Sequence, residues 1–345
     1  MPYLQTNNLV KIRFPSSFTK NYWTIEEKSK KTIFAVPKLA VLIALACAKP
    51  MTKDDLLDFL LDKQQADRDK IEKTLDSLLS KNIILSSEIF PQSNAWMNWK
   101  KSGWEAAADY HFFTWDAPFL DYSKDGGGHD RDRKNMVQYQ EAQPDVQRYK
   151  VYKEFLDRQN LPVPTELASL EIKNLLLSDK IKLLLSLAFG KKGEKACHWS
   201  DVPLMRRTSP SGGSRHPTEG YFLSHTNGIS KGWHHIQADP ASLVYLSPHS
   251  EEADFLENES SVHLGAIVLT SIFERNMYRY REPRTFRTIH MDAGHILETI
   301  ESAGSELGFE TKVSMNFDEN AILKKIKASK FEEGVMAIVT LKERI

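Results

Sequence analysis

The chain has 345 residues, of which 41% are hydrophobic, and its 46 basic and 46 acidic side chains leave no formal net charge. This length accommodates one large domain or two ordinary ones, and the balanced charge excludes attraction to nucleic acid or membrane through net charge alone. The longest apolar run, residues 39–48, is shorter than the about 20 residues of a membrane-spanning helix. The two cysteines are far apart in sequence, which suits a reducing compartment, so we expect a cytoplasmic protein.

Residues 1–35 show little periodicity, and the first clear pattern is the apolar run 39–47, which predicts a buried helix ending before Pro50. Thr52 stands three residues before Asp55, the spacing of a capping box, and predicts the start of a second helix. A third helix is predicted from near Asp67, because apolar residues recur there at offsets of four, seven and eight. A strand is predicted at residues 83–85.

Three short helices and a strand are the outline of a winged-helix domain, which we assign to residues 1–95. The third helix of such domains often enters the major groove of DNA. Its exposed residues mix acids and bases here, whereas a phosphate-binding face is mainly basic. We therefore expect no nucleic-acid partner; a structural or dimerising role and a peptide- or protein-binding role stay open.

Residues 96–165 are predicted to form a connecting segment rich in aromatic and charged residues. The segment contains a glycine- and charge-rich stretch at 125–134, which predicts a mobile loop or lid. Neither this stretch nor the pair Cys197-His198 has the ligand spacing of a calcium or zinc site. No metal site is predicted.

The third segment, residues 166–345, alternates predicted helices and strands around one unusual loop. Helices are predicted at 168–190, 291–307 and 319–329, and strands at 219–224, 232–236, 265–273 and 335–339. The loop between them, residues 206–217, holds three arginines, three serines, two glycines and two prolines, with no aliphatic side chain.

This central loop is either a solvated basic loop or a ligand cradle. Gly212 and Gly213 admit backbone conformations closed to other residues and allow a ligand to approach closely. Consecutive backbone N–H groups in such a turn converge on anions or ring heteroatoms. Arginine adds a planar, permanently charged fork that suits phosphate.

Four sequence blocks favour the cradle. They are Arg207-Thr208-Ser209-Pro210-Ser211-Gly212-Gly213-Ser214-Arg215-His216-Pro217 with Tyr221 after it, Gly232-Trp233-His234-His235-Ile236, Phe273-Glu274-Arg275 with Arg279-Tyr280-Arg281-Glu282-Pro283-Arg284-Thr285-Phe286-Arg287, and Asp292-Ala293-Gly294-His295. In this order they resemble the SagB-type dehydrogenases, which are FMN-dependent, peptide-modifying members of the nitroreductase superfamily. The resemblance covers residues 203–345.

The resemblance implies an α+β, nitroreductase-like fold, with an antiparallel-type sheet flanked by helices, and a homodimer that holds FMN at its interface. Contacts to the FMN phosphate are expected from Arg206, Arg207 and Arg215, and from Lys342 and Arg344 in the C-terminal tail. Ring-edge hydrogen bonds are expected from Ser209, Ser211, Gly212, Gly213 and Ser214. Pro210 and Arg284 complete the expected cofactor set.

The expected catalytic residues are Tyr280 and Arg279, which stand where the family has a Lys-Tyr pair. As a base, Tyr280 would need a pKa well below its usual value of about 10, and Arg279 and Arg284 would have to lower it. As a general acid it would instead suit the reduction of a dehydrated residue.

The function implied is FMN-dependent dehydrogenation of azolines to thiazoles or oxazoles in a ribosomally made precursor peptide, with a cyclodehydratase as a further partner. The alternatives are a flavin-dependent reductase of dehydroamino acids or of small nitro or quinone substrates, and a non-catalytic scaffold that binds the peptide.

Overall fold

The computed structural model describes residues 3–7, 10–15, 22–27, 32–63, 67–86, 98–99, 101–115, 120–163, 174–197, 203–248 and 264–344. The chain divides into two compact units, residues 1–117 and 118–345. The three segments proposed from the sequence, 1–95, 96–165 and 166–345, stay a prediction.

The first unit combines helices with two small sheets. Its helices are α1 (Lys38–Ala46), α2 (Lys53–Asp62), α3 (Arg68–Ser80) and α4 (Glu105–Thr114). Its strands are β1 (Leu4–Thr6), β2 (Val10–Arg13), β3 (Trp23–Glu27), β4 (Thr32–Val36) and β5 (Ile84–Ser86). Strands β1 and β5 pair, and β2, β3 and β4 form a three-stranded antiparallel sheet in that order.

Local sequence signals account for the helices of this unit. The side chain of Thr52 accepts a hydrogen bond from the Asp55 N–H and the Asp55 carboxylate accepts one from the Thr52 N–H, so the predicted capping box is confirmed. Asp67 caps α3 in a similar way. The apolar faces of α1, α2 and α3 share one core. The strands before residue 36 were not predicted, and the winged-helix assignment stays a prediction.

The second unit is built on a seven-stranded sheet. The strands of this unit are β6 (Asp157–Asn160), β7 (Gly193–Lys195), β8 (Leu204–Arg206), β9 (Thr218–Ser224), β10 (Gly232–Gln237), β11 (Ser242–Pro248), β12 (Gly265–Ile272), β13 (Phe309–Ser314) and β14 (Glu333–Glu343). Strands β7 and β8 pair with each other in a separate two-stranded sheet, and the other seven form the main sheet. Its helices are α5 (Gly128–Ala142), α6 (Leu177–Phe189), α7 (Phe273–Arg279), α8 (Phe286–Glu306) and α9 (Glu319–Lys325). The sheet order is β13-β14-β12-β9-β10-β11-β6, with antiparallel pairs throughout.

Helices cover both faces of this sheet, so the predicted α+β class with a helix-flanked antiparallel sheet is confirmed. On one face, α6 and α8 pack against a core that includes Phe222 and Ile267. A Cβ at Gly220 would lie 2.6 Å from the Phe189 ring, so glycine is required for this close approach of α6. On the other face, α9 packs against Tyr221.

The starts of three helices of this unit differ from the predictions. Helix α6 begins at Leu177 rather than at 168, and residues 164–173 lie outside the described ranges. The loop predicted at 125–134 becomes helix α5 from Gly128, after Gly127 in the left-handed conformation. Helix α8 begins at Phe286 rather than at 291. Among the described residues, no helix is both long and apolar enough to cross a bilayer.

Candidate active site at the central loop

The central loop connects β8 to β9 and turns sharply at Gly212–Ser214. Three positions of positive φ within four residues shape it: Gly213 at 59°, Ser214 at 55° and His216 at 47°. A Cβ on Gly213 would collide with the Tyr280 hydroxyl, so glycine lets the loop backbone lie directly against this phenol. The predicted loop and the predicted catalytic tyrosine therefore meet.

Side chains of helix α8 hold the loop in place through hydrogen bonds. Asp292 accepts hydrogen bonds from the Ser211 Oγ at 2.8 Å and from the Gly212 N–H at 3.1 Å. The hydroxyls of Ser209 and Thr299 lie 2.6 Å apart. Two of the three serine side chains expected at the ring edge of a flavin, Ser209 and Ser211, thus contact α8 and hold the backbone of the turn in place.

The anchoring residues of α8 form a polar stripe that the sequence analysis did not identify. Thr288, Asp292, His295 and Thr299 are spaced by four, three and four residues and share one helix face. Burial raises the pKa of Asp292, although its hydrogen bonds from Ser211 and Gly212 act in the opposite direction. The signal that could have found this stripe is the helical spacing of its polar residues.

The four arginines assigned to the cofactor lie in different environments. Arg206 is exposed on β8, and Arg284 is half-buried in the short turn Pro283–Thr285. Arg207 points inward and donates to the Thr218 carbonyl at 2.9 Å, and burial lowers its pKa to about 10. Arg215 is half-buried, and its Nε donates to the Gly213 carbonyl at 3.3 Å.

A cavity of about 230 Å³ lies beside the loop and is rich in guanidinium groups. It is lined by Ser214, Arg215, Arg148, Arg275, Tyr278, Cys197, Pro203, Leu204, Gln140, Gln143, Pro144, Val146 and Gln147. Arg148 Nη1 and Arg275 Nη2 are buried without a hydrogen-bond partner in the described part of the chain. Such unmatched buried donors favour an anionic ligand in or beside this cavity.

Tyr280 keeps its proton at neutral pH. Burial raises the pKa of its phenol, and the nearby Arg279 and Arg215 offset only part of this effect. Arg279 acts in the direction that a catalytic base would require, but desolvation of the phenolate outweighs it, so the lowered pKa that a base needs is not reached. Arg279 is itself paired with Asp132 of α5 at 2.7 Å, and its guanidinium lies 4.8 Å from the centre of the Tyr280 ring.

A buried ion-pair cluster behind the loop was also missed by the sequence analysis. Glu219 of β9 contacts Arg275 Nη1 at 2.5 Å and His235 Nε2 at 2.8 Å. Burial acts to raise the pKa of Glu219, but Arg275 and His235 hold it well below its usual range. Arg275 also donates to the His216 carbonyl at 2.9 Å, which ties the loop to α7.

The structure does not bring the C-terminal tail to the loop. Arg344 donates to Ser305 Oγ at 3.4 Å, thirteen residues beyond Asp292 along α8. At the rise of an α-helix this is about 20 Å from the loop anchor. Lys342 is paired with Glu310 in the β13–β14 ladder. Within one chain these two side chains lie away from the loop, and their expected contact with the FMN phosphate stays a prediction.

Comparison with known proteins adds a related sequence. No protein-family profile matches the chain. The chain is 31% identical over 186 residues to the trifolitoxin-processing protein TfxB of Rhizobium leguminosarum bv. trifolii. The predicted SagB-type resemblance is confirmed. The match covers 51% of this chain and 47% of TfxB, so the chain spans about half the length of this relative.

Solved structures show more distant likenesses. A protein of Anabaena variabilis assigned to the nitroreductases is 22% identical, with a TM-score of 0.48 over 60% of this chain and 46% of that chain. A chain of the E. coli microcin synthetase McbBCD complex, solved with truncated pro-MccB17 bound, is 16% identical, with a TM-score of 0.42 over 60% of this chain and 82% of that chain. At these TM-scores the likenesses assign no role to any residue.

Proposed function

We propose that this protein is an FMN-dependent oxidoreductase that acts on a ribosomally made precursor peptide and dehydrogenates azolines to thiazoles or oxazoles. The observation that carries the proposal is the contact between the glycine turn at Gly213 and the half-buried phenol of Tyr280, beside an arginine-lined cavity. The TfxB relative, a processing protein for trifolitoxin, supports the peptide as substrate.

The cavity residues fit the phosphate end of FMN. Arg275 and Arg148 carry buried, unmatched donors, and burial lowers the pKa of Arg215, so all three gain from a dianion that enters the cavity. At Gly212 the turn has no side chain and leaves room for the flat ring system, whereas the Tyr280 hydroxyl occupies the space at Gly213. Bound FMN supplies a two-electron acceptor at its ring.

The size of the cavity favours a second copy of the chain in the complete site. About 230 Å³ is smaller than the roughly 300–1,000 Å³ of typical pockets for whole cofactors. We therefore propose that a homodimer covers the remainder of the FMN. Light scattering of the flavin-loaded protein tests this arrangement, and a monomer with full flavin content would contradict it.

Tyr280 acts as a hydrogen-bond donor in this proposal. Its raised pKa keeps the proton on Oη, so at neutral pH the residue orients a heteroatom of the substrate and does not remove a proton from it. The proton that an azoline loses would pass to solvent water. Asp132 keeps the Arg279 guanidinium over the Tyr280 ring, which fixes the direction of the phenol.

The protonated phenol favours one second candidate, the reduction of a dehydroamino acid in a peptide. In that reaction the substrate gains a hydride and a proton, and Tyr280 Oη is placed to donate the proton. A cyclodehydratase partner belongs to the azoline proposal only.

The purified full-length protein provides the first test. We expect a yellow protein that releases FMN on denaturation. A thiazoline-containing peptide should lose two hydrogens by mass spectrometry, whereas a dehydroalanine peptide would gain two hydrogens if the second candidate is right. A third assay supplies NAD(P)H and a nitro compound as the electron acceptor. Turnover in this assay and in neither peptide assay would identify a generic nitroreductase.

The variant Tyr280→Phe should retain FMN and lose turnover: by about 10²–10⁴-fold if the phenol donates the proton of the second candidate reaction, and by less if it only orients an azoline through a hydrogen bond. Tyr245→Phe is the matched control, because Tyr245 lies on β11, donates to the Lys231 carbonyl and does not contact the central loop. A colourless protein that binds no added FMN would overturn the proposal, and unchanged turnover in Tyr280→Phe would reject the role of this tyrosine.

A further inference from the structure

The cavity beside the central loop contains a thiol that the proposed flavin chemistry does not use. Cys197 follows β7, is half-buried, and lines the cavity together with three arginines, Arg148, Arg215 and Arg275. The other cysteine, Cys47, is fully buried in the core of the first unit, and burial raises the pKa of its thiol to about 11. The two thiols therefore differ in their access to a reagent from solvent.

The surroundings of Cys197 carry positive charge. No acidic side chain is among the described residues that line the cavity. Arg215 is close enough to Cys197 to interact with it electrostatically, and no carboxylate is among its contacts in the described ranges. Glu194 lies 3.9 Å from Arg148 but is closer to Lys191, at 2.9 Å. The cavity should therefore concentrate small anions next to the thiol.

Two donor atoms in the cavity wall lack an acceptor. The side chain of Arg275 is only 3% exposed, and its Nη1 contacts Glu219 and the His216 carbonyl. Its Nη2 has no hydrogen-bond partner among the described residues, and the same is true of the buried Nη1 of Arg148. A carboxylate that enters the cavity would accept hydrogen bonds from both guanidinium groups, which removes the cost of leaving these donors unmatched.

We propose that Cys197 is a modification site for low-molecular-weight disulfides that carry carboxylate groups. The thiolate of Cys197 attacks one sulfur of the disulfide, a new S–S bond forms with Cys197, and the electron pair of the broken S–S bond leaves on the departing thiolate. That thiolate takes up a proton from water, which replaces the proton that the Cys197 thiol released. The cysteine is oxidised and the departing half of the reagent is reduced, so no other oxidant is needed.

The attached group should compete with the phosphate of FMN, a consequence that rests on the proposed function. Its carboxylate would engage the guanidinium groups assigned to the phosphate, so the modified protein should bind FMN about tenfold more weakly or worse. A thiol reductant reverses the exchange and should restore the affinity. Flavin loading would then depend on the thiol redox state of the surroundings.

The test compares two aliphatic disulfides on the flavin-depleted full-length protein, whose fold is checked by circular dichroism. Dithiodipropionate carries two carboxylates, and hydroxyethyl disulfide is uncharged. Mass spectrometry gives the rate of adduct formation at each cysteine, and each rate is divided by that of the same cysteine and reagent in the urea-unfolded protein, which removes the intrinsic difference between the reagents. At Cys197 the normalised rate should be about tenfold higher for dithiodipropionate. Cys47 should form little adduct with either reagent.

A competitor and a pair of variants test the role of the arginines. Saturating inorganic phosphate, compared with chloride at equal ionic strength, should slow dithiodipropionate at Cys197 and leave hydroxyethyl disulfide unchanged. Arg148→Gln should reduce the charge preference by about threefold or more, because it removes one of the three cavity cations. Arg158→Gln is the matched control, since this exposed arginine of β6 lies over the Phe155 ring. It should leave the preference within about twofold.

Equal normalised rates for the two reagents would overturn the inference, as would a charge preference that survives Arg148→Gln or modification of Cys47 before Cys197. A flavin titration of modified and unmodified protein reports on the cofactor separately. If the charge preference holds but the unmodified protein binds no FMN, the modification site stands and the proposed function falls. If FMN binds equally to both forms, the phosphate lies outside this cavity and the predicted control of flavin loading is wrong.

Discussion

The two faces of the seven-stranded sheet differ in chemistry although the same strands form both. From β9, Gly220 and Phe222 face α6 and α8 in an apolar core. Glu219 and Tyr221 face the other way and join buried charges. The apolar face needs only close packing, whereas the charged face needs every partner in place. The central loop is tied to the charged face through Arg275.

The charged face also fixes the segment before β6. Lys150 donates to Glu333 Oε2 at 2.7 Å and to the Tyr221 hydroxyl at 2.8 Å, and Tyr221 donates to Glu333 Oε1 at 2.9 Å. The Lys150 N–H donates to Glu219 at 3.2 Å, which connects this network to the Arg275 cluster. The segment that lines the cavity is thus held by the same charges that hold the loop.

The largest effect is expected from Glu219→Gln on the charged face. The change leaves Arg275 and Arg207 buried without their carboxylate, which should lower the unfolding free energy by about 3–5 kcal/mol. Hydrogen exchange of the β9 and β12 amides measures it. Glu306→Gln, an exposed acid on α8, is the matched control.

The double variant Glu219→Gln/Arg275→Met tests whether the loss of stability in Glu219→Gln comes from an unpaired buried charge or from altered packing. If the cost comes from the unpaired guanidinium, removing that charge as well should restore part of the stability. A double variant less stable than Glu219→Gln would contradict this explanation.

The apolar face should respond less strongly, and through volume alone. Gly220→Ala places a Cβ 2.6 Å from the Phe189 ring and should cost about 1–3 kcal/mol through overpacking. Gly294→Ala in α8 is the matched control, since a Cβ there meets no atom within 4 Å and should stabilise the helix by about 0.5–1 kcal/mol. A stable Gly220→Ala protein would show that α6 can move away from the sheet.

Local patterns predicted the parts of the fold that depend on neighbouring residues. Short stretches of sequence determine three such features: the capping box at Thr52, the apolar run of β12 and the composition of the central loop. The loop conformation was predictable to the same extent, because Gly212 and Gly213 allow the turn that the structure shows.

Long-range partners were not predictable in this way. Asp292 anchors Ser211 from 81 positions away, and no local pattern pairs them. The arginines near Tyr280 are visible in the sequence, but the burial that raises the pKa of its phenol depends on the tertiary structure. Glu219 offered a usable signal, since it is a lone charge in the strand Thr218–Ser224, whose residues are all buried.

A pH titration sharpens the comparison further, because His216 links the loop to the charged face. Burial and Arg207 lower the pKa of His216 to about 3, from 6.5. Below pH 6.5 the imidazole of His216 therefore binds a proton in the unfolded chain but stays neutral in the folded chain. The contribution of His216 to the unfolding free energy is therefore fully present above pH 6.5. It should fall by up to about 1.4 kcal/mol per pH unit as the pH is lowered from there.

The variant His216→Asn should flatten this slope between pH 6.5 and 5, a range above the usual pKa of carboxylates. Asparagine tolerates the positive φ of 47° at this position. His234, whose pKa burial lowers to about 4, supplies the slope that remains. His290→Asn, at an exposed histidine of α8, serves as the control; an equal flattening there would remove the assignment to His216.

The smallest expected effect is at the hydroxyl pair between the loop and α8. Ser209→Ala removes one neutral hydrogen bond to Thr299, which should cost about 0.5–1.5 kcal/mol. Thr299→Ala should cost a similar amount, and the double variant should cost less than the two single changes together, because they share one interaction. FMN affinity measured in the same three proteins then tells whether the anchor acts on the turn at Gly213. If stability falls and FMN affinity does not, the contact holds α8 in place without shaping the cofactor site.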